Sequence, residues 1–368
     1  MASNVYFTDF RTEFHGESLL AKLSLLMKKA GLGKKDLDQK FVALKLHFGE
    51  DGCLAYLHPR YAGSVAEYVR EMGGNPFLTD CNTLYAGSRK NALEHIETAR
   101  RNGFDFLSTS CQILIGDGLK GNDEVFVPVR GGTHFREVRI GRAIMDADFL
   151  LTLTHFKCHE KMGIGGVLKN IGMGCGSRAG KMQMHSDGKP GIEAWRCVGC
   201  GSCQKVCGSD ALTLTDGVMK VDPAKCTGCG SCISICPTDA LHVASWDQES
   251  HLLCEKTAEY AAALLQNRPS FHISFLCNIT PNCDCHGESD TPILPDIGIL
   301  AGFDPVALDA AAVDLCNKAP RLPGTWMDGK EDTGDIFHDA HPDTNYRPLL
   351  EHCEKLGVGT RDYKLIKV

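Results

Sequence analysis

The chain lacks the features that mark nucleic-acid-binding, membrane and secreted proteins. Its 368 residues carry a formal net charge of −7, and no basic tract is interleaved with aromatic residues, so we expect no nucleic-acid partner. No apolar run approaches the length of a membrane span. The first residues contain no apolar segment of the kind found in secretory signals. These absences predict a cytoplasmic protein that does not enter a membrane.

Cysteine, in contrast, is abundant. The chain has 19 cysteines, and disulfides are not expected in a reducing cytoplasm. Eight of the cysteines form two runs, CVGCGSCQKVCG at 197–208 and CTGCGSCISICP at 226–237. Both runs have the spacing C-x2-C-x2-C-x3-C, and SDAL after the first run recurs as TDAL after the second. The repeat indicates two copies of one structural unit.

This spacing is that of bacterial two-cluster ferredoxins, in which the fourth cysteine of each run binds the other cluster. The sequence therefore predicts two [4Fe-4S] clusters. The first would be bound by Cys197, Cys200, Cys203 and Cys236, and the second by Cys226, Cys229, Cys232 and Cys207. Zinc is the alternative, but zinc ribbons use paired C-x2-C knuckles. One departure from the ferredoxin pattern is that Gly208, rather than proline, follows the first run.

The segments on both sides of the cysteine runs alternate between strand and helix patterns. Strands are predicted at 41–48, 76–81 and 147–156 before the runs, and at 271–277 and 296–302 after them. Such alternation predicts an α/β fold with a mostly parallel sheet flanked by helices, interrupted here by a small α+β diferredoxin domain. We expect the α/β domain in two parts, 1–187 and 248–368, with the ferredoxin-like domain at 188–247. Residues 175–191 have the composition of a linker.

Titratable residues follow several of the predicted strands. In open α/β sheets, ligands bind beyond the carboxyl ends of the strands. The candidate catalytic residues at these ends are His47, Glu50, Asp80, His155, Lys157 and His159. The glycine-rich segment that follows, predicted as a loop, contains Lys169 and Asn170 and could bind a phosphate or carboxylate. The alternatives are structural hydrogen bonding for the first set and a flexible connection for the second.

A third cysteine group occurs in CNITPNCDC, which contains Cys277, Cys283 and Cys285. Three thiols within nine residues could hold a third cluster or another metal, with solvent, substrate, His286 or Cys254 as the fourth ligand. The alternative is three reduced cysteines packed as small hydrophobic residues. Polar neighbours such as Asp284 predict that this loop is not deeply buried.

Several blocks of the chain resemble a known family. ALKLHFGE, PFLTDCNTLYAGSRKNALEH, GGVLKNIGMGCG, CNITPNCDC and GFDPVALDAAAVDLC occur in that order. They are similar to the blocks of the DUF362 family, a domain of unknown function often fused to ferredoxin repeats. The resemblance implies iron–sulfur binding and names no reaction.

Three functional hypotheses follow. The first is a reductase or oxidoreductase in which the clusters relay electrons between a redox partner protein, a ferredoxin or reductase, and a small-molecule substrate at the strand ends. The second is an electron-transfer adaptor whose α/β domain docks a partner. The third is a metal or cluster handling protein that uses the loop with Cys277, Cys283 and Cys285. Titratable groups gathered at strand ends favour the first.

Overall fold

The computed structural model describes residues 2–185, 188–244, 246 and 248–368. Within them lie sixteen strands: β1 (Ser3–Asp9), β2 (Phe41–Lys45), β3 (Asn75–Thr79), β4 (Gln112–Ile113), β5 (Glu124–Pro128), β6 (Glu137–Gly141), β7 (Phe149–His155), β8 (Lys157–His159), β9 (Gly163–Gly165), β10 (Pro190–Ile192), β11 (Leu212–Thr215), β12 (Val218–Val221), β13 (Leu241–Val243), β14 (Ser270–Leu276), β15 (Gly298–Gly302) and β16 (Tyr363–Lys367).

The same residues form thirteen α-helices: α1 (Leu19–Lys29), α2 (Pro59–Glu71), α3 (Ala92–Arg101), α4 (Phe106–Thr109), α5 (Arg142–Asp146), α6 (Val167–Cys175), α7 (Arg178–His185), α8 (Ser202–Lys205), α9 (Ser231–Ile235), α10 (Ser250–Leu265), α11 (Pro305–Lys318), α12 (Ile336–Ala340) and α13 (Arg347–Lys355). Short 3₁₀ turns occupy Leu32–Lys34 and Ala194–Arg196. None of these described helices combines the length and the apolar character needed to cross a membrane.

Eight strands form one central sheet in the order β16-β1-β15-β14-β7-β2-β3-β4. Strand β15 pairs antiparallel with both β1 and β14, whereas the other pairings are parallel. All seven residues of β7 are buried, as expected for a strand covered by helices on both faces. The prediction of a mostly parallel sheet flanked by helices is therefore confirmed.

One hydrophobic cluster covers each face of the sheet. The first includes Leu168 of α6, Leu253 of α10 and Val306 of α11. The second includes Leu26 of α1, Val65 of α2 and Ala99 of α3. Because both faces are covered, ligands reach the sheet only at its ends.

The strand order reverses between β2 and β7. From β2 the chain proceeds outward to β3 and β4, and it then returns to place β7 and β14 on the other side of β2. The carboxyl ends of β2 and β7 therefore diverge into a crevice, the usual ligand site of such sheets. Most of the residues predicted to be functional end or follow these two strands, whereas Asp80 follows β3.

Two small antiparallel sheets and two short helices lie between α7 and α10. Strand β10 pairs with β13, and β11 pairs with β12. The turn between β11 and β12 contains Asp216 and Gly217, both with positive φ, as in a type I′ hairpin turn. Strands β7 and β14, which precede and follow this unit, are neighbours in the central sheet. The predicted domain boundaries at residues 187 and 247 lie outside the described residues.

Two local predictions were wrong. The segment with linker composition contains α7, and the predicted glycine-rich loop contains α6, which carries Lys169 and Asn170. The glycines allow close packing of helices rather than flexibility. A Cβ on Gly180 would lie 2.6 Å from the carbonyl oxygen of Arg139, and one on Gly172 would lie 2.2 Å from that of Thr257 in α10.

Candidate functional site

A cavity of about 490 Å³ opens at the carboxyl ends of β2, β3 and β7. This volume suits a small organic ligand. Its lining is rich in basic side chains: Lys45, Arg89, Lys157, Lys161, Lys169 and Lys181, with His47, His155, His159, His185 and His286. Two carboxylates, Asp80 and Glu160, also line it. The balance of charge favours an anionic ligand.

Asp80 holds the β2 and β3 side of the cavity. Its carboxylate lies 3.0 Å from Lys45 Nζ and 3.4 Å from Arg89 Nη1. Burial would raise the pKa of Asp80, but the Lys45 and Arg89 cations outweigh it and lower that pKa. Lys45 also donates to Asn170 Oδ1 at 2.7 Å. Asp80 is therefore an ionised partner that fixes two cations at the cavity wall.

Asp284 holds the β7 side, and the prediction that its loop is not deeply buried was wrong. Asp284 is 1% exposed. It lies 2.8 Å from His155 Nδ1 and accepts from Lys157 Nζ at 3.0 Å. Burial raises its pKa, but His155 and Lys157 outweigh that effect, so the pKa lies below the ordinary range.

Both ring nitrogens of His155 lie within hydrogen-bond distance of acceptors. Its Nδ1 faces the Asp284 carboxylate, and its Nε2 faces the carbonyl oxygens of Cys277 at 2.7 Å and Asn278 at 3.2 Å. Both nitrogens therefore face acceptors. His155 positions Asp284, and neither nitrogen is free to act on a ligand.

His47 and His159 are neutral rings. Burial, assisted by nearby cations such as Arg89, lowers the pKa of His47 well below its ordinary value. Burial likewise lowers the pKa of His159 to about 4. The Nδ1 of His47 accepts from the Gly49 amide at 3.1 Å, and the Nδ1 of His159 accepts from the Lys161 amide at 3.1 Å. In each neutral ring the proton is then on Nε2.

Of the remaining predicted residues, some line the cavity and one supports the lining from behind. Lys169 and Asn170 line the cavity from α6. Glu50 lies behind the lining, where it accepts from Arg89 Nε at 3.2 Å and from Tyr85 Oη at 3.0 Å. The amides at the start of α6 are not available to an anion, because Asp309 accepts from Val167 and Leu168 at 2.7 and 2.9 Å.

The three cysteines of CNITPNCDC do not converge. Cys277 packs at the edge of the second hydrophobic cluster. Cys283 and Cys285 lie together, with ligand atoms within 4.8 Å of each other and of His159. Lys169 Nζ lies 3.4 Å from Cys283 Sγ. Cys254 is buried in the first hydrophobic cluster, where its thiol donates to the Asn345 carbonyl.

The eight cysteines of the two runs lie in the unit between α7 and α10. Cys197, Cys200, Cys203 and Cys236 line one small cavity. The two halves repeat the same contacts, since Ala211 N lies 3.3 Å from Cys207 Sγ and Ala240 N lies 3.2 Å from Cys236 Sγ. In the other set, burial and the neighbouring thiols, Cys229 and Cys226 foremost, raise the pKa of Cys232 to about 12.

Helix α7 separates the cysteine unit from the large cavity. Met182 packs in the same hydrophobic cluster as Cys203 and Cys232. Arg178 contacts the unit at Gly230. A Cβ added to Gly230 would lie 2.6 Å from the Cδ of Arg178. Lys181 and His185 line the large cavity. A single helix thus contacts both sites.

Sequence reasoning missed several lining residues. Lys45 could have been found, because it is a charged residue inside the mostly apolar predicted strand at 41–48. Lys181 and His185 were hidden because their segment was interpreted as a linker. Arg89 and Leu84 lie in a loop between β3 and α3, and no local pattern distinguishes them.

We predict that Asp284→Asn destabilises the fold by about 3–5 kcal/mol, because it leaves Lys157 and His155 buried without their anion. The pKa of Asp284 is lowered in the fold, so its stabilisation is complete above the ordinary carboxyl value of about 4 and is lost as the pH falls further. Urea unfolding at pH 7 and below pH 4 measures both effects, and the difference between variant and wild type should shrink in acid.

The matched control is Asp290→Asn, an exposed carboxylate in the same loop, for which a change within about 0.5 kcal/mol is expected. Equal unfolding midpoints for the two variants at pH 7 would contradict the role given to Asp284.

Comparisons with known proteins identify the family. Residues 42–314 match the family described as "Domain of unknown function (DUF362)". The "Thylakoid-associated protein" of Synechocystis sp. is 28% identical over 172 residues, which is 44% of this chain and 47% of that relative. The chain thus spans about half the length of this curated relative.

Two solved structures are weakly similar to the structure of this chain. The crystal structure of a protein from Thermotoga maritima covers 81% of this chain and 57% of its own, with 12% identity and a TM-score of 0.40. The lactate racemase apoprotein from Thermoanaerobacterium thermosaccharolyticum covers 100% of this chain and 83% of its own, with 11% identity and a TM-score of 0.34. No functional inference follows from either overlap. The family match covers most of the 368 residues, and the chain belongs to the DUF362 family.

Proposed function

We propose that this protein is an iron–sulfur oxidoreductase that acts on an anionic small molecule bound in the large cavity. Two [4Fe-4S] clusters, held by the two crossed sets of four cysteines, would exchange electrons with that molecule. The observation that carries the proposal is the position of α7. Arg178 and Met182 on this helix contact the cysteine unit, whereas Lys181 and His185 line the cavity. A cofactor in the unit would therefore be separated from the ligand by about one helix.

The cysteine unit fits a pair of clusters. Four thiols that line one cavity match the ligand set of a cubane. Backbone amides near Cys207 and Cys236 Sγ supply the hydrogen bonds that tune such clusters.

Arg178 gives an independent sign of a buried acceptor. It is 0% exposed, and burial lowers the pKa of its guanidinium to about 10. Its Nε donates to the Lys120 carbonyl and its Nη2 to the Lys90 carbonyl. Its Nη1 is buried and has no hydrogen-bond partner among the described residues. The anionic groups that act on Arg178 most strongly are Asp117, Cys232 and Cys229, and an anionic cluster bound by the two thiols would supply an acceptor for Nη1 in addition to the charge of Asp117.

The other end of the unit is the entry surface for electrons. Cys200 is exposed, whereas Cys232 is buried against the α/β domain. Trp195 is 79% exposed and Val198 is 67% exposed beside the first cysteine run. Exposed apolar side chains next to a redox site favour transient docking of a partner protein. A ferredoxin or reductase would therefore dock at this surface.

The cavity supports an anionic ligand for a specific reason. Lys45, Arg89 and Lys157 are paired with carboxylates. Lys181 instead donates to the Gly176 carbonyl at 2.6 Å. Its charge acts on the carboxylates of Asp117 and Asp80, but it forms no salt bridge with a carboxylate among the described residues. His47, with its proton on Nε2, could donate a hydrogen bond to a bound anion. A docking adaptor would need no such cavity, which makes the adaptor hypothesis the weaker one.

The first test concerns Arg178. We expect Arg178→Met to lower the reduction potential of one cluster. A reduced cluster carries one more negative charge than an oxidised one, and the substitution removes a cation that stabilises this charge. Arg178→Lys keeps the charge and should preserve most of the potential. Potentiometric titration followed by EPR measures both variants.

Arg361→Met is the control, since Arg361 lies outside the cysteine unit and pairs with Glu351 and Glu354, and it should leave both potentials unchanged. Unchanged potentials for both clusters in Arg178→Met would contradict the placement of a cluster against α7.

The second test concerns Lys181. We expect Lys181→Ala to weaken binding of inorganic phosphate or small carboxylates about tenfold, which corresponds to about 1.4 kcal/mol. Calorimetry on the wild type with a panel of these anions comes first. Lys205→Ala, on the exposed side of α8, should bind like the wild type. If the two variants bind every anion equally, the cavity is not the anion site.

A further inference from the structure

A cluster of metal-ligating side chains lies at the mouth of the cavity. Ligand atoms of His159, Cys283 and Cys285 lie within 4.8 Å of one another, and so do those of Glu160, Cys285 and His286. Cys285 belongs to both groups. In a tetrahedral zinc site with bonds of roughly 2.0–2.3 Å, ligand atoms are roughly 3.3–3.8 Å apart. Small side-chain rotations would therefore bring this set onto one ion.

Glu160 gives a second observation that points to a cation. Its Oε1 lies 3.1 Å from His286 Nε2. Its Oε2 is buried and has no hydrogen-bond partner within the part of the chain that the structure describes. A buried carboxylate oxygen without a partner is costly. A metal ion between Glu160 and the thiols would satisfy it.

His159 is the least suitable ligand of the five. Its Nδ1 accepts from the amides of Lys161 at 3.1 Å and Met162 at 3.2 Å. A histidine that binds a metal through one nitrogen normally donates a proton from the other. Here two N–H groups already point at Nδ1, so Nε2 keeps the proton and His159 serves as a hydrogen-bond donor beside the thiolates.

We propose that Cys283, Cys285, Glu160 and His286 bind one divalent metal ion of the zinc class. Two thiolates and an imidazole select zinc or cobalt over magnesium and calcium, which prefer oxygen ligands. The charges balance, since two thiolates and one carboxylate are offset by the dication and by Lys169, whose Nζ lies 3.4 Å from Cys283 Sγ. Two thiolates are too few for a further cubane of the kind expected in the inserted unit.

The site differs from the one expected from the sequence. Cys277 is not part of it, and Glu160, which has no place in the cysteine spacing, takes a ligand position. Glu160, Cys285 and His286 also line the large cavity, so the ion would face the anionic ligand and could polarise an oxygen of that ligand. The metal site does not depend on the clusters, since no residue is shared between them.

The test is a titration with Co²⁺ under anaerobic conditions, after cluster reconstitution and removal of loosely bound metal by a chelator. The wild type should bind one Co²⁺ that gives a thiolate-to-cobalt charge-transfer band and that Zn²⁺ displaces. Cys285→Ser should lose this band, and Glu160→Gln should weaken Co²⁺ binding at least tenfold. Iron content should stay unchanged in both, which separates this result from the fate of the clusters.

Cys277→Ser is the matched control and should keep the band and the affinity. Unfolding midpoints measured without added metal show whether each variant is folded. The proposal is overturned if Cys285→Ser binds Co²⁺ like the wild type, or if Cys277→Ser loses as much binding as Cys285→Ser. Loss of iron from Cys285→Ser would instead assign this cysteine to an iron–sulfur site and would also overturn the proposal.

Discussion

Two buried carboxylates hold the cationic wall of this protein in place. Asp80 fixes Lys45 and Arg89 at the ends of β2 and β3, and Asp284 fixes Lys157 and His155 at the end of β7. Buried cations without partners would cost several kcal/mol each, so these two anions stabilise the cationic wall. The reversal of strand order between β2 and β7 brings both arrangements to one crevice. The fold therefore brings the cations to one crevice, and the two aspartates offset their buried charge.

The arrangement also explains why the cysteine unit lies where it does. The chain leaves β7, forms α6 and α7 across the cavity, and then enters the unit. Lys90 reaches back from the α/β domain to Asp239 of the unit at 2.6 Å. Leu84 lines the cavity and also belongs to the hydrophobic cluster that contains Cys232. The proposed redox function is supported by this continuity of packing between two sites that the sequence separates.

Much of the fold could be predicted because its signals are local. Apolar runs of strand length alternate with helical patterns, and they place β2, β3, β7 and β14 within two or three residues of the observed bounds. The strand ends then indicate His47, Asp80, His155 and Lys157, and all four line the cavity. Glu50 follows the same strand as His47, yet it lies behind the lining. Sequence position cannot distinguish a residue on the wall from one that supports it.

The predictions that were wrong depended on long-range contacts. Glycines in α6 and α7 indicate a loop when viewed alone, but they permit contacts with Thr257 and Arg139. Asp284 was expected near solvent because its partners, His155 and Lys157, lie more than 120 residues away in the chain. The three cysteines of CNITPNCDC are close in sequence, but the end of β14 directs Cys277 towards the opposite hydrophobic cluster. In each case the deciding contact comes from a distant segment.

The most direct test of the central claim is the iron and acid-labile sulfide content of protein purified without oxygen, combined with EPR after chemical reduction. The account predicts about eight iron and eight sulfide per chain, with the signals of two [4Fe-4S] clusters. Zinc without sulfide, or iron sufficient for one cluster at most, would contradict it.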